Sequence, residues 1–499
     1  MPRKPMLSKS RFIYGRQCHK HLWWRCHDPK SPELVPDPSR RALFARGHRV
    51  GAEACRHIPG GFQVPFDGRQ RKRSVAATAK AIAEGVEILY EAGFEHEGVF
   101  AAIDILVKEG EGWVLVEVKS TTGVKPQYIE DAAVQTWIAR ASGIPVTRVE
   151  LMHLNRDCVY PDLSNLFTRT DISEAVDAIV PGIDAEVKAQ KGMLDLPIPI
   201  LAAGAHCHKP YECPFLLRCN EPLPHGDLLE LHGLGAERAA PYRKRGMTSM
   251  RDLPAKEIAS NRIWARQCKA LETGELVVEK TLQAAIGSLS GVIGYLDFET
   301  LAPAIPVWEG CSPFTNVPAQ FSLHIRRGTQ ITHHEWLAEG AQDPRPQLAA
   351  TLAAWGGECD ILYAYNAPFE QRCLSELAAA APAHAETLLA MRARMQDLLP
   401  IVKNHVYHPD FRGSFGLKAV LPALVPGLDY SDLRVADGQL ASAEIESLLL
   451  RAEELPDWRR KRMRRELHQY CARDTLALVR LHEVLLEARP VGDLEPPEA

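Results

Sequence analysis

The chain has 499 residues, with 59 Lys and Arg against 63 Asp and Glu, a net charge of −4, and 46% hydrophobic and 24% charged residues. These are globular values. They exclude collagenous, coiled-coil and disordered chains, and the near balance of charge excludes a histone-like polycation. At roughly 150 residues per domain the length predicts about three domains.

Taken in chain order, the start MPRKPMLSKSRF carries charge with no apolar core behind it, which predicts no secretory leader and a cytoplasmic protein. No uncharged apolar run approaches the roughly 20 residues of a membrane helix. The best, 284–296, is short and holds Gly and Ser. Twelve cysteines fall far below the density of a disulfide scaffold, so clustered Cys are read as metal ligands or redox groups.

Three textures follow one another. Residues 1–222 mix helical stretches with a strand hairpin. Residues 223–285 are short, helical and basic in places. Residues 286–490 open with an apolar strand and end in a long charged helix. Glu221-Pro222-Leu223-Pro224 reads as a linker, and 491–499 as a flexible tail.

In the first segment, Gly47-His48 and Glu53 fall on a predicted helix as weak candidate ligands. GVFAAIDILVKEGEGWVLVEVKS (98–120) then reads as strand, turn over 109–112, strand. Glu117 and Lys119, two apart, share one strand face, and Asp104 falls opposite Val116 or Glu117. An acid inside an apolar strand is costly without a partner. Two carboxylates suit Mg²⁺ or Mn²⁺, and a neighbouring Lys suits charge developing on phosphate. The helix 127–144 then offers Gln135.

Cys207, Cys213 and Cys219 follow with even C-x5-C-x5-C spacing, and Cys18 stands alone near the N-terminus. Four thiolates select Fe–S or zinc, and the wide spacing tilts toward a cluster. Cys26 and His19 are alternative ligands. Cys55, Cys158, Cys268, Cys311, Cys359 and Cys373 are read as incidental or buried.

LLELHGLGAERAAPYRKRG (228–246) reads as helix, tight turn at Gly233 and Gly235, helix, with Arg243, Lys244 and Arg245 behind it. It looks like a helix-hairpin-helix gripping phosphate. In the last segment Asp297 and Glu299 share one face of a strand. Glu370 follows a strand ending at Asn366, and Tyr470 and Asp474 share one face of a helix. Four carboxylates with a Tyr suit two divalent ions and in-line attack on phosphate. Six of the seven residues from Arg459 to Arg465 are basic: a solvated face or a nucleic-acid contact.

Asp104, Glu117, Lys119 and helical Gln135 in this order resemble the PD-(D/E)XK superfamily, and its RecB-like branch in particular. The Tyr expected four places after the Gln is replaced by Ala139, with Trp137 two earlier. One Cys before and three after that core are similar to RecB-like nucleases of the AddB and CRISPR-associated types. That likeness implies a structural 4Fe-4S cluster on Cys18, Cys207, Cys213 and Cys219, with zinc as the alternative. Asp-x-Glu, then Asn-x-x-Phe-acid, then Tyr-x-x-x-Asp resembles the DEDDy branch of the DnaQ-like 3′–5′ exonucleases, which implies an RNase H-like fold. There Tyr470 would orient water and Asp474 would bind metal. Glu370 stands where Asp is usual, with Asp397 as a possible substitute or neighbour.

The expectation is therefore an α/β multidomain chain. It comprises a PD-(D/E)XK domain with an Fe–S site (1–222), a helix-hairpin-helix connector (223–285) and an RNase H-like DEDD exonuclease domain (286–490). The resemblance as a whole is to an uncharacterised bacterial family with this fusion. It implies a Mg²⁺- or Mn²⁺-dependent nuclease acting on single-stranded or end-bearing DNA in repair, recombination or phage defence. The alternatives are an RNA 3′-exonuclease and a nucleic-acid-binding scaffold with degenerate centres. Protein partners are not legible.

Overall fold

A computed structural model describes residues 7–65, 70–219 and 222–490. Residues 491–499, expected as a tail, and Glu221 of the expected linker lie outside them. The molecule is a mixed α/β chain of two compact units. The first takes the residues up to Pro222 together with Pro303–Thr315; the second takes the remainder. The segment 223–285 does not separate from the second unit.

The first unit is built on a seven-stranded sheet. Its strands are β1 (Leu7–Ser8), β2 (Phe62–Gln63), β3 (Ile88–His96), β4 (Val99–Glu109), β5 (Gly112–Lys119), β6 (Val146–Leu154) and β7 (Phe167–Asp171). They run in the order β2-β3-β4-β5-β6-β7, with β1 parallel to β4. Gly110, at φ +55, takes the left-handed conformation that closes the β4–β5 hairpin. Ile105 pairs with Val116, which makes Asp104 and Glu117 the next residues along the two strands.

One face of this sheet, with Ile103, Leu106 and Leu115, packs against the helices Pro126–Ala141 and Ser173–Leu194. Every residue from Ala132 to Ala139 is buried, so the first of these helices is enclosed on all sides. Each fully buried Leu or Ile contributes roughly 1.5–3 kcal/mol. The opposite face, with Ile105, Val114 and Val116, packs on Ala54 of the helix Pro38–His57.

The second unit carries β8 (Val277–Val278), β9 (Val292–Leu301), β10 (Val317–Arg327), β11 (Gln330–Leu337), β12 (Ile361–Ala364), β13 (Met395–Asp397) and β14 (Val406–Tyr407). Five of them form a sheet ordered β11-β10-β9-β12-β13, and β8 pairs with β14. β9 is central, antiparallel to β10 and parallel to β12. A Cβ on its Gly294 would meet Leu362 at 2.6 Å and the Cys359 sulfur at 2.9 Å, so a larger residue here would push these core side chains aside. Period-two alternation divides β9 cleanly. Leu296 and Phe298 enter one core with Leu348 and Leu374, while Ile293 and Tyr295 enter the other with Leu478 and Leu481. Asp297 and Glu299 continue the second face, toward the 31-residue helix Asp457–Glu487.

Residues 228–271 build a small core of their own around Leu228, Leu231, Met250 and Trp264. Arg266, 1% exposed, ties it down by bonding Glu279 and the carbonyls of Lys403 and Asn404. Among the described residues no helix is long and apolar enough to cross a membrane.

Two candidate metal centres and a cysteine cluster

Asp104 on β4, Glu117 and Lys119 on β5 and Gln135 on the helix Pro126–Ala141 converge. Val118 N donates to Asp104 Oδ2 at 2.8 Å, and Gln135 Nε2 donates to Glu117 Oε2 at 2.5 Å. Lys119 Nζ lies 2.7 Å from Glu117 Oε1 and 2.6 Å from Asp131. Lys9, which follows β1, also donates to Glu117 Oε1, at 3.0 Å. Burial alone would raise the Glu117 carboxyl, but Lys119 and Lys9 hold it well below the usual range. Asp104 moves the other way. Burial first, and then the Glu117 charge, push it up to about 7.

Glu91 on β3 belongs to the same patch. It is held at φ +54, a left-handed conformation rare outside glycine, and its carboxyl is raised by burial and by Glu117. His48 is exposed and acts on Glu91. Glu53 pairs with Arg56 of its own helix at 2.5 Å. Gly47 has open space around it.

The second centre draws on three elements. Asp297 and Glu299 come from β9, Glu370 from the first turn of the helix Pro368–Ala380, and Tyr470 and Asp474 from Asp457–Glu487. All four carboxyls are raised. Burial is the first cause for each, and Asp474 repels Asp297, Glu299 and Glu370. Glu370 reaches about 8 and Asp474 about 6. At an effective dielectric of about 20, two charges 4 Å apart repel by about 4 kcal/mol, so four cannot all ionise here without cations.

Glu370, 4% exposed, leaves Oε2 buried and unpaired among the described residues. Tyr430 donates to Asp474 Oδ1 at 2.5 Å, and Lys418 Nζ lies 3.3 Å from the Tyr470 hydroxyl. Asp397 is a neighbour of Glu370, but its Oδ1 is engaged by the backbone N–H groups of Asn366 and Leu399. Cys471 Sγ sits 3.6 Å from Asp297 Oδ2, and one ligand atom each of Asp297, Glu299 and Cys471 lie within 4.8 Å of one another. Carboxylate oxygens are hard donors of the kind Mg²⁺ and Mn²⁺ take, and Glu370 Oε2 is free to meet one.

Cys18, Cys207, Cys213 and Cys219 gather. Burial first, then Cys18, Cys207 and Cys219, push the Cys213 thiol up to about 11, and Cys219 feels Cys18 and Cys207 in turn. Trp24 and Phe215 pack with Cys207, Cys213 and Cys219. Gln17 Nε2 bonds the carbonyls of His206 and Tyr211, which fastens the N-terminal helices to this loop. Thiolates are soft donors of the kind Fe–S clusters and zinc take, but no three of these sulfurs lie within 4.8 Å of one another. Cys26 packs instead against the main core, and His19 is exposed.

The connector departs from expectation. Its first limb is a 3₁₀ turn, Leu228–Glu230, and only the second, Gly235–Lys244, is a helix. Asp227 caps the short turn, and Leu231 turns extended after it. Gly233 and Gly235 do take positive φ, +73 and +66. Arg243 is paired with Asp227 at 2.8 Å, and Arg245 lies over Tyr242. In the basic run, Arg460 and Lys461 pair with Asp457, Arg462 with Glu466, and Arg464 with Glu339.

Sequence reading passed over Glu91, Lys9, Asp131 and Cys471. Glu91 had the same signal as Asp104, an acid inside an apolar strand, and Cys471 adjoins Tyr470. Lys418 and Tyr430 sit in stretches with no local pattern to mark them.

A family model described as a domain of unknown function (DUF2779) matches residues 294–416. The match takes in Asp297, Glu299 and Glu370 and ends before Tyr470. No curated protein matches the chain.

Proposed function

We propose that the chain is a divalent-metal-dependent nuclease with two centres: a RecB-like one on Asp104, Glu117 and Lys119 and a DEDD exonuclease-like one on Asp297, Glu299, Glu370 and Asp474. The observation that carries this reading is the second acid cluster. Asp297 meets residues of a helix 174 positions away, and the resulting four carboxyls are too crowded to ionise unaided. Protein stability alone gives no reason to assemble them.

Divalent ions on these acids would polarise the phosphate and lower the pKa of water. The protein's own groups supply the rest. Lys119 stands where negative charge would develop, and the Tyr470 hydroxyl, held toward Lys418, would orient the attacking water. A cluster or zinc on the four thiols would pin the N-terminus structurally to residues 207–219. The substrate would be single-stranded or end-bearing DNA.

Alanine at Asp104 and at Asp297 should each remove one cleavage activity from end-labelled DNA in Mg²⁺ or Mn²⁺. A double variant that still degrades DNA sinks both assignments. One observation favours a second reading, a binding scaffold with an inactive first centre: both Glu117 oxygens are already taken by Lys9, Lys119 and Gln135. Salt-dependent binding without cleavage in either metal would establish it.

A further inference from the structure

Beside Lys119 lies an open cleft of about 500 Å³ within the first unit. Its walls include Ser120, Thr121, Thr122, Arg156, Phe314 and Thr315, and none of its lining residues is acidic. We propose that this cleft receives the backbone of a single nucleic-acid strand and stacks one base on Phe314. This deepens, and rests on, the reading of Asp104, Glu117 and Lys119 as a phosphodiester-cleaving centre.

The cleft adjoins that centre along the chain, although Asp104, Glu117 and Lys119 do not line it. Ser120 follows Lys119 directly, and Thr121 N bonds the Lys119 carbonyl at 2.8 Å. Three successive hydroxyl side chains thus leave the ExK lysine along one edge. Ser120 Oγ is buried with no partner among the described residues. Arg156 is exposed and gives only its Nε, at 2.8 Å, to Thr122 Oγ1, with no ion pair to any described residue. A cation among hydroxyls without a competing carboxylate is an oxyanion-binding chemistry.

The other wall is borrowed from later in the chain. Residues 303–315 follow β9 but belong to the first unit. Ala304 is buried with Val50, Leu154, Cys158 and Leu166, and Tyr160 N bonds Cys311 O at 2.9 Å. The segment closes on itself through Phe314 N to Pro303 O, 2.9 Å, and Ser312 N to Thr315 Oγ1, 2.9 Å. Phe314 is held at φ +63, a conformation that costs a non-glycine residue of order 1–3 kcal/mol and that clusters at binding sites. Phe314 is half-buried, packed against the core of Val50 and Leu154, and Arg46 lies 5.2 Å from its ring centroid, so only the part of the ring that lines the cleft is open to a base. A fixed aromatic ring opposite a row of phosphate-type donors is the arrangement that binds single strands without reading their sequence.

The test is fluorescence anisotropy of a 5′-labelled 20-nucleotide oligo-dT with the full chain, Ca²⁺ replacing Mg²⁺ to suppress cutting. Arg156→Ala should weaken binding at least about fivefold and lower the slope of log affinity on log salt by about one. Phe314→Leu keeps an apolar side chain, removes the stacking surface and should weaken binding about 5- to 100-fold. Arg156 is exposed, so its variant keeps the test valid if Phe314→Leu disturbs the loop. Wild-type affinity and slope in Arg156→Ala, with the parent chain binding normally, overturn the cleft and leave the nuclease reading standing. Failure of the parent chain to bind the strand overturns both, and an Asp104→Ala loss of cleavage with unchanged binding separates the centre from the cleft.

Discussion

Lys9 Nζ lies 3.0 Å from Glu117 Oε1, across 108 residues of chain. The lysine reaches a carboxylate that is 1% exposed, so the first helix is anchored electrostatically to the floor of the first candidate centre. Burial opposes that charge, and the two lysines more than offset it.

Removing Lys9 therefore has a signed outcome. Glu117 is depressed in the folded state, so its pairing stabilises the protein above the unfolded carboxyl value, about 4.3, and the benefit fades as pH falls further. Lys9→Ala should cost about 1–3 kcal/mol at pH 7, less than breaking an isolated buried pair because Lys119 remains. The gap should close only at strongly acid pH, where Glu117 takes up a proton in the folded state. Thermal melts at pH 7 test it, and an unchanged melting temperature in Lys9→Ala counts against the pairing.

The second centre titrates in the opposite sense. Its acids are raised, with Asp474 at about 6 and Glu370 at about 8. Between about pH 4 and pH 8 the metal-free folded state keeps protons that the unfolded chain releases, so stability falls as pH rises through that window. Asp297→Asn should raise the melting temperature in EDTA, chiefly above pH 6. Mn²⁺ should stabilise the parent chain more at pH 8 than at pH 5.5. A pH-independent Mn²⁺ effect would contradict the cluster's role.

Tyr470 and Asp474 share a helix face but carry different assignments. Tyr470→Phe should lower exonuclease turnover by about 10- to 100-fold while leaving Mn²⁺ binding near the parent value. Asp474→Asn should lose both. Calorimetric titration beside a cleavage assay distinguishes them, and equal loss of metal in the two variants would remove the tyrosine from its water-orienting role.

The four thiols predict a bound inorganic group in protein purified anaerobically. A brown preparation with iron and sulfide supports the cluster, and a colourless one with stoichiometric zinc supports the alternative. Cys213→Ser should lose the group and expose the N-terminal helices to proteolysis. Protein free of both metals, with Cys213→Ser unchanged in protease resistance, would make these cysteines incidental.

Much of the candidate geometry was legible because it is local. The spacing of Glu117 and Lys119, the Asp297–Glu299 alternation and the Tyr470–Asp474 helical step follow from backbone periods of 2 and 3.6. The turn at Gly110 gave the register that sets Asp104 beside Glu117. What lay outside reach was tertiary. Lys9 arrives through a two-residue strand, Lys418 from the short helix Leu417–Leu424, and Tyr430 from a loop. The expected first helix at 228–230 shortened to a 3₁₀ turn because Asp227 caps it and Leu231 must turn into the small core. No periodicity announces that residues 303–315 will leave the unit their flanking strands belong to.

That excursion has a practical bearing on how the chain can be divided. A fragment ended at Pro222 would omit residues that fill the hydrophobic pocket around Val50 and Leu154, and would be left with a hole in its place. A fragment begun at Leu223 would carry the same thirteen-residue strap with nothing to cover its apolar side. Neither half is a natural cassette for recombination, and dissecting the two chemistries calls for point changes rather than scissors.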